Sequence, residues 1–540
     1  MPNKISNQSG KIAKEATISF IGMGIGDGAR YLFTVILARF AGVEILGIYS
    51  LASSITRIGE LFGIAGLHSG VMRFVSRLDK ETEVEEVKQR ILSGLKLGML
   101  FGICIMILQI AFADYLAFEL FNGSLLLKTV IIISAVSLPF ATIMAISAFA
   151  TQGYKLLKYK IIVLNIIRPV IMLFCVLISI SFFTKEAAIK FPLLISAVFS
   201  SFAAVIFLGK LTNIKMSQIF SGVFDKELLR FSYPLMFVTV LGTLMHWMDI
   251  MMLGYFTDTT TVGLYHPAAR TAGLLRTVLL AFMGIFAPMM SELHRRNNIY
   301  EMGKLYKLIV RWILSVSLPL AIILILYSKK IMLLFGVNYL SASNVLIVLT
   351  AAAFLQTIFG GGGHTLTMTG FTKVNLVNSI VVIIINITLN ILWIPHYGII
   401  GAAYATFVSM ASLGLLRIVE VNYYIKISPF SIKLLKPVIA GSIMIIVLIL
   451  LKPIVMPMHT LISLIIVSLV GLFIFFAFIS IKNVLPSFQE KDPQSIVIDE
   501  VTGISIPLLF IPGNLSISFL AFILFRIFDI LKPSIIYYSQ

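Results

Sequence analysis

The stretch ILSGLKLGMLFGICIMILQIAFA (Ile91–Ala113) holds one charge, Lys96, in 23 residues. Wound as an α-helix at about 1.5 Å per residue it reaches ~35 Å, enough to cross the ~30 Å hydrocarbon core of a bilayer. Similar runs lie on both sides of it, roughly at 16–40, 45–65, 127–150, 159–181, 191–209, 231–256, 262–290, 308–328, 342–362, 374–395 and 398–420. Val438–Leu451 and Leu461–Ile481 follow, so about fourteen spans are expected. A mean hydropathy of +1.01 supports the same reading. So do 59% hydrophobic and only 12% charged residues, because a soluble globule has too little interior to hide that much apolar surface. The expected fold class is an all-α integral membrane protein with lipid as its solvent.

The net charge of +18 would suggest a nucleic-acid partner in a soluble chain. Here the basic residues fall in alternate loops. Arg73, Arg77, Lys80, Lys88, Arg90, Lys155, Lys158, Lys160, Lys210, Lys215, Lys226, Arg230, Arg295, Arg296, Lys304 and Lys307 belong to one set, and Lys128, Lys185, Lys190, Lys329 and Lys330 to the other. Sixteen against five sets topology, with the N-terminus and the basic loops expected in the cytoplasm and no nucleic acid implied. Lys4, Lys11 and Lys14 lead into Ile18–Phe40 without a small-residue cleavage site, so this segment is expected to remain as an anchor in the cell membrane. Cys104 and Cys175 both sit in apolar runs, which suits neither a disulfide framework nor a metal site.

Self-comparison pairs GIYSLA (Gly47–Ala52) with GLYHPA (Gly263–Ala268), an offset of 216 residues that matches six spans and their loops. Both copies open a span from the same side, which predicts two six-helix bundles related by an axis along the membrane normal. The expected division is a first bundle over 1–215 and a second over 216–425, followed by two further spans over 426–484 and a tail over 485–540. Two bundles around a cavity form a plan for transport by alternating access.

Charges within the spans locate that cavity. Asp27 with Arg30, Arg57 with Glu60, and His246 with Asp249 are each spaced i, i+3 and share a helix face. Arg168 stands in the fifth span, and Arg270 and Arg276 in the eighth have no carboxylate nearby in sequence. A charge at a helix centre costs roughly 2.5–3.5 kcal/mol on insertion, so these side chains belong in a protein interior or a wet cavity. For the pairs, mutual neutralisation and a polar or coupling role both fit. Arg270 and Arg276 are the better candidates for gripping a phosphate, because a guanidinium binds two of its oxygens at once; snorkelling is the alternative for Arg276.

Gly22, Gly24, Gly26 and Gly28 suit close helix packing, and a bend for alternating access is the sharper alternative. Gly360–Gly363 read as a loop at the inner end of the tenth span. Asn375, Asn378, Asn386 and Asn390 read as interhelical hydrogen-bonding groups in preference to a cation site. No zinc-binding HxxxH or nucleophile elbow occurs, and no catalytic residue, metal or cofactor is expected in the core.

Three segments carry a resemblance. GVEILGIYSLASSITRIGELFGIAGLHSGVMRFV (Gly42–Val75), WMDIMMLGYFTDTTTVGLYHPAARTAGLL (Trp247–Leu275) and IPHYGIIGAAYATFVS (Ile394–Ser409) resemble the polysaccharide transport family. That family shares a superfamily with multidrug and toxin extrusion transporters and lipid-linked oligosaccharide flippases. The similarity extends over about residues 10 to 480. It implies two six-helix lobes, alternating access and export of a polyprenyl-linked oligosaccharide, with Arg30, Arg57, Arg270 and Arg276 receiving the pyrophosphate. The implied partners are that substrate, membrane lipid and glycosyltransferases of a polysaccharide pathway. A drug exporter of the same superfamily is the alternative; it would need a cavity dominated by carboxylates, and arginines at least equal them here.

The tail departs from that pattern. DPQSIVIDEVTG from Asp492 and FRIFDILKP (Phe525–Pro533) resemble the central part of phosphatidylglycerophosphatase A, a magnesium-dependent phosphatase. Asp499 and Glu500 are suited to a hard cation, and Arg526 and Lys532, flanking Asp529, to phosphate. The family's earlier proline-glycine-rich segment and later paired aspartates have no counterpart, so the tail is expected to be an incomplete, non-catalytic fusion. A membrane-bound lipid phosphatase is the alternative from the enzyme class.

Overall fold

The computed structural model describes residues 2–484 apart from 80–81, 155, 215–217 and 219–220. Every element named below is a helix, because backbone groups in hydrocarbon have no water to bond and must bond within their own segment. The first half comprises α1 (Pro2–Ala41), α2 (Val43–Ile64), α3 (Leu67–Arg77), α4 (Val84–Ala111), α5 (Leu125–Ala135), α6 (Leu138–Gly153), α7 (Leu157–Ile161), α8 (Arg168–Phe182), α9 (Ala187–Lys190) and α10 (Pro192–Thr212). The second comprises α11 (Lys226–Phe256), α12 (Thr259–Ala272), α13 (Leu274–Arg295), α14 (Ile299–Leu326), α15 (Ser328–Leu333), α16 (Ser343–Met368) and α17 (Thr372–Glu420). Two more, α18 (Leu435–Val455) and α19 (Thr460–Val484), follow.

Among the described residues nine helices are long and apolar enough to cross a membrane, or eleven when two bent pairs each count as one span. The difference from fourteen lies in three elements. The 49-residue α17 counts once but turns back at Gly398, whose φ of 57° and ψ of −133° lie outside helical values. The 22-residue α2 carries Glu44, Arg57 and Glu60, and α19 offers a shorter apolar stretch, Thr460–Phe475. Of the bent pairs, Leu125–Ala135 meets Leu138–Gly153 at 40°, and Thr259–Gly284 meets Phe286–Arg295 at 40°. At the second bend Pro288 lacks the N–H that the carbonyl of Gly284 would accept.

The two halves share a core at the end opposite the basic loops. There Leu46, Ile48 and Tyr49 of α2 pack in one buried cluster with Val262 and Tyr265 of α12 and Phe335 and Tyr339 beyond α15. The twin motifs cross at that point: a Cβ on Gly47 would stand 1.7 Å from the Thr259 carbonyl oxygen, and one on Gly263 2.0 Å from that of Val43. Only glycine permits so close a backbone approach. Arg39 closes the same end, its Nε and Nη2 donating to the carbonyls of Leu334 and Leu333 at 2.6 and 3.1 Å.

Toward the basic loops each half has its own core, one around Val71, Leu92 and Ile146 and another around Met283, Tyr306 and Val421. The α11 start nonetheless stays with the first half. Arg90 there bonds Asp225 at 2.7 Å and Glu227 at 2.9 Å, and Lys96 donates to the Gly222 carbonyl at 3.0 Å. Beside the second half, α18 is anchored by the Tyr327 hydroxyl, which donates to the Leu448 carbonyl at 2.8 Å.

Gly360–Gly363 are helical, inside α16, and form no loop. Glycine weakens a helix in water, but in the bilayer an open backbone costs more than the lost propensity. The missing side chains are used by neighbours, since Cβ atoms at 360, 362 and 363 would meet Leu279, Tyr306 and Arg417.

Candidate functional site

Five guanidinium groups and two carboxylates gather where α1, α2, α8, α12 and α13 face one another. Asp27 is the hub of one group. Its Oδ1 accepts from Arg30 Nη1 at 2.9 Å, Arg270 Nη2 lies 3.6 Å away, and Thr277 Oγ1 donates to Oδ2 at 3.0 Å. Arg30 also donates to the Leu164 carbonyl at 3.2 Å. Arg276 acts electrostatically on the same carboxylate. Arg270, read from sequence as lacking a carboxylate, therefore finds one from the other half of the chain, although its buried Nη2 makes no hydrogen bond.

Glu60 is the second hub. Arg57 Nη1 bonds it at 2.9 Å, and Arg168 grips both oxygens at 3.1 and 3.3 Å. Glu60 is 4% exposed whereas the Arg57 side chain is 46% exposed, so this pair presents its cation to the open space. Five positive charges against two negative ones leave an excess of three, the condition for attracting a polyanion into a wet seam with low-dielectric walls.

Asp249 stands apart from this cluster. It is 6% exposed, and among the described residues no Lys or Arg reaches ion-pair distance. Its Oδ1 accepts from Asn386 at 3.3 Å and from Asn390 at 2.9 Å. Its Oδ2 accepts from the Tyr265 hydroxyl at 2.9 Å and from Thr406. Asn390 Oδ1 is buried with no partner. Both amides turn N–H donors to the carboxylate, and the free Asn390 Oδ1 with the Tyr265 and Thr406 hydroxyl oxygens, beside a buried carboxylate that lacks a cationic partner, suit a proton or a hard monovalent cation. The His246 side chain and the tail residues Asp499, Glu500, Arg526, Asp529 and Lys532 lie outside the described residues.

Sequence reasoning passed over Thr277, Tyr265 and Thr406, which carry no charge, and Arg417 and Glu420, which close an apolar run like topology signals. The Asn386–Asn390 spacing of four was the one available pointer to the Asp249 centre.

Among the described residues, a seam lined by charges from both halves of an all-helical membrane fold is the architecture of the superfamily that includes multidrug exporters and polysaccharide flippases. The chain belongs to the polysaccharide biosynthesis protein family, whose sequence profile matches residues 12–294. A second profile, phosphatidylglycerophosphatase A, matches residues 425–540, a range that includes α18 and α19. A "Probable low-salt glycan biosynthesis flippase Agl15" of Haloferax volcanii is 26% identical over 171 residues, covering 32% of this chain and 36% of that protein. The chain thus matches about a third of the length of that relative. Among solved structures, "Lipid II flippase MurJ, inward closed conformation" superimposes with a TM-score of 0.68 at 18% identity, covering 87% of this chain and all of that one. An inward-facing multidrug resistance MATE family transporter gives 0.64 at 16% identity over 76% of this chain and 98% of that one. At these identities the structures speak for the fold.

Proposed function

We propose that the protein flips a polyprenyl-linked oligosaccharide across the cytoplasmic membrane. The residues 1–215 and 216–425 act as two lobes that rock about the seam, the N-terminus and basic loops face the cytoplasm, and 426–484 form two appended helices. The excess of three guanidinium charges over carboxylates carries this reading, supported by the Arg270 Nη2 that is buried without a hydrogen-bond acceptor. A pyrophosphate supplies the missing acceptors, and Arg30, Arg57, Arg270 and Arg276 receive it from both lobes. Sugars follow into the aqueous seam while the polyprenyl tail stays in lipid. Asp249 couples the cycle to a cation gradient, because discharging a lone buried carboxylate changes the energy of the packing it holds between α11, α12 and α17. Glycosyltransferases of the same polysaccharide pathway supply the substrate.

The test is a protection assay in proteoliposomes, with a fluorescent polyprenyl-pyrophosphate saccharide and a membrane-impermeant quencher. Flipping that depends on the protein and falls about a hundredfold in Arg270→Ala is the expected result. Equal transport of a neutral polyprenyl glycoside would remove the pyrophosphate reading.

The phosphatidylglycerophosphatase A match favours a second reading for the tail. Magnesium-dependent phosphate release from phosphatidylglycerophosphate, lost in Asp499→Asn, would establish it; the proposal here is a tail without catalysis.

A further inference from the structure

The two arms of α17 face each other with matching stripes. On the first arm Asn378, Val382, Asn386 and Asn390 recur every fourth residue, and Asn375 continues the stripe; on the second, Thr406, Met410, Leu413, Arg417 and Glu420 recur at intervals of three or four. At the deep level Asn386, Asn390 and Thr406 bond Asp249. The next level is apolar, with Val382, Met410 and Leu413 packing together with Ala352. Toward the basic loops the chemistry of the deep level repeats: buried Asn378 donates to the Glu420 carboxylate. One turn away Arg417 is held by neutral Asn375 at 3.3 Å, with its Nε buried and unpartnered, against the bare Cα of Gly363. Although Arg417 and Glu420 are i, i+3 neighbours, they form no ion pair.

We propose that Glu420 with Asn378 is a second binding site for the coupling cation, a sodium ion or a proton, and that Arg417 is the residue that discharges it. A cation leaving Asp249 crosses the apolar layer and is taken up by Glu420. Arg417 then exchanges Asn375 for Glu420, and the cation leaves on the side of the basic loops. Gly360–Gly363 give the guanidinium room for that exchange. The apolar layer keeps the two carboxylates from emptying together, so the gradient is not short-circuited through the second lobe. This inference rests on the reading of Asp249 as the coupling centre.

The full-length protein in detergent, with Trp312→Phe and Trp393→Phe, serves for equilibrium binding, read from the fluorescence of Trp247, which lies two residues from Asp249. One arm titrates sodium chloride at fixed pH, and the other titrates pH in choline buffer, which separates sodium from proton. Asp249→Asn is expected to lower the affinity read at Trp247 at least about tenfold, and Glu420→Gln, which removes the distant second site and not the first, to shift that local midpoint by less than about twofold. In proteoliposomes Glu420→Gln is expected to slow exchange of labelled sodium, or of protons reported by an internal dye, at least about tenfold. Arg417→Gln is expected to preserve exchange but slow net efflux into cation-free buffer, with partial recovery in Arg417→Lys. Exchange at the parent rate in Glu420→Gln, or an affinity loss equal to that of Asp249→Asn, overturns the second site. An Asp249→Asn protein with unchanged titrations overturns the coupling centre itself. Each variant is accepted only at parental membrane abundance and elution volume.

Discussion

Arg270 illustrates how a single residue can be tested for two roles at once. It lies 3.6 Å from Asp27 and leaves a buried Nη2 without an acceptor. Arg270→Ala is expected to abolish export in a complementation assay at normal protein abundance, and Arg270→Lys to restore a minority of it, since an ammonium cannot grip two oxygens. A merely structural role predicts another pattern. Removing the arginine would then take one cation from Asp27, which keeps Arg30 and Thr277, and would lower abundance, and Arg270→Ala with Asp27→Asn would recover protein and export together. Abundance and surface polysaccharide measured side by side decide between them. At this scale the sequence identified which side chains are charged and misplaced in lipid. It left Asp27 and Asp249 both open as a structural partner for Arg270, because Asp27 is 243 positions away and only the tertiary fold brings α1 to α12.

Among the elements, the crossing of α2 and α12 is the most constrained. Gly47→Val would force apart backbones that leave no room for a Cβ, with an expected destabilisation of about 1–3 kcal/mol or more, seen as a lower melting midpoint in detergent. Gly242→Ala is the control, since nothing lies within 4 Å of a Cβ there. The spans themselves were legible because hydropathy is a local property. The repeat was legible because a close backbone contact leaves glycine in both copies. The glycines of α16 misled for an equally physical reason: their propensity in water signals a loop, and that signal is void where the backbone has no alternative partner. The surroundings of Asp249 were hidden because three elements contribute to them and its four hydrogen-bond partners are all neutral.

For the whole molecule, orientation and tail are the open quantities with direct tests. Single cysteines at Thr259 and Asn297 are expected to react with an impermeant maleimide in intact cells at 259 and not at 297, given the basic loops around 297. The reverse pattern would invert the proposed topology. Truncation after Lys482 is expected to leave export unchanged, measured by the same complementation, because the described side chains of the charged seam and the Asp249 centre all lie between residues 27 and 406. A loss of export would instead tie the phosphatidylglycerophosphatase-like segment to transport.

The meeting of Gly47 and Gly263 has a mechanical consequence. Two helices that touch backbone to backbone at one end have a fulcrum there, and the rest of each is lever arm. From Gly47 to Ile64 that arm is ~25 Å, so a rotation of about 20° parts the far ends by roughly 9 Å while the contact itself scarcely moves. In the proposed cycle small free-energy changes at Asp249 would be geared into a gap wide enough for a sugar, and a thicker fulcrum would blunt that gearing before it unfolded the protein.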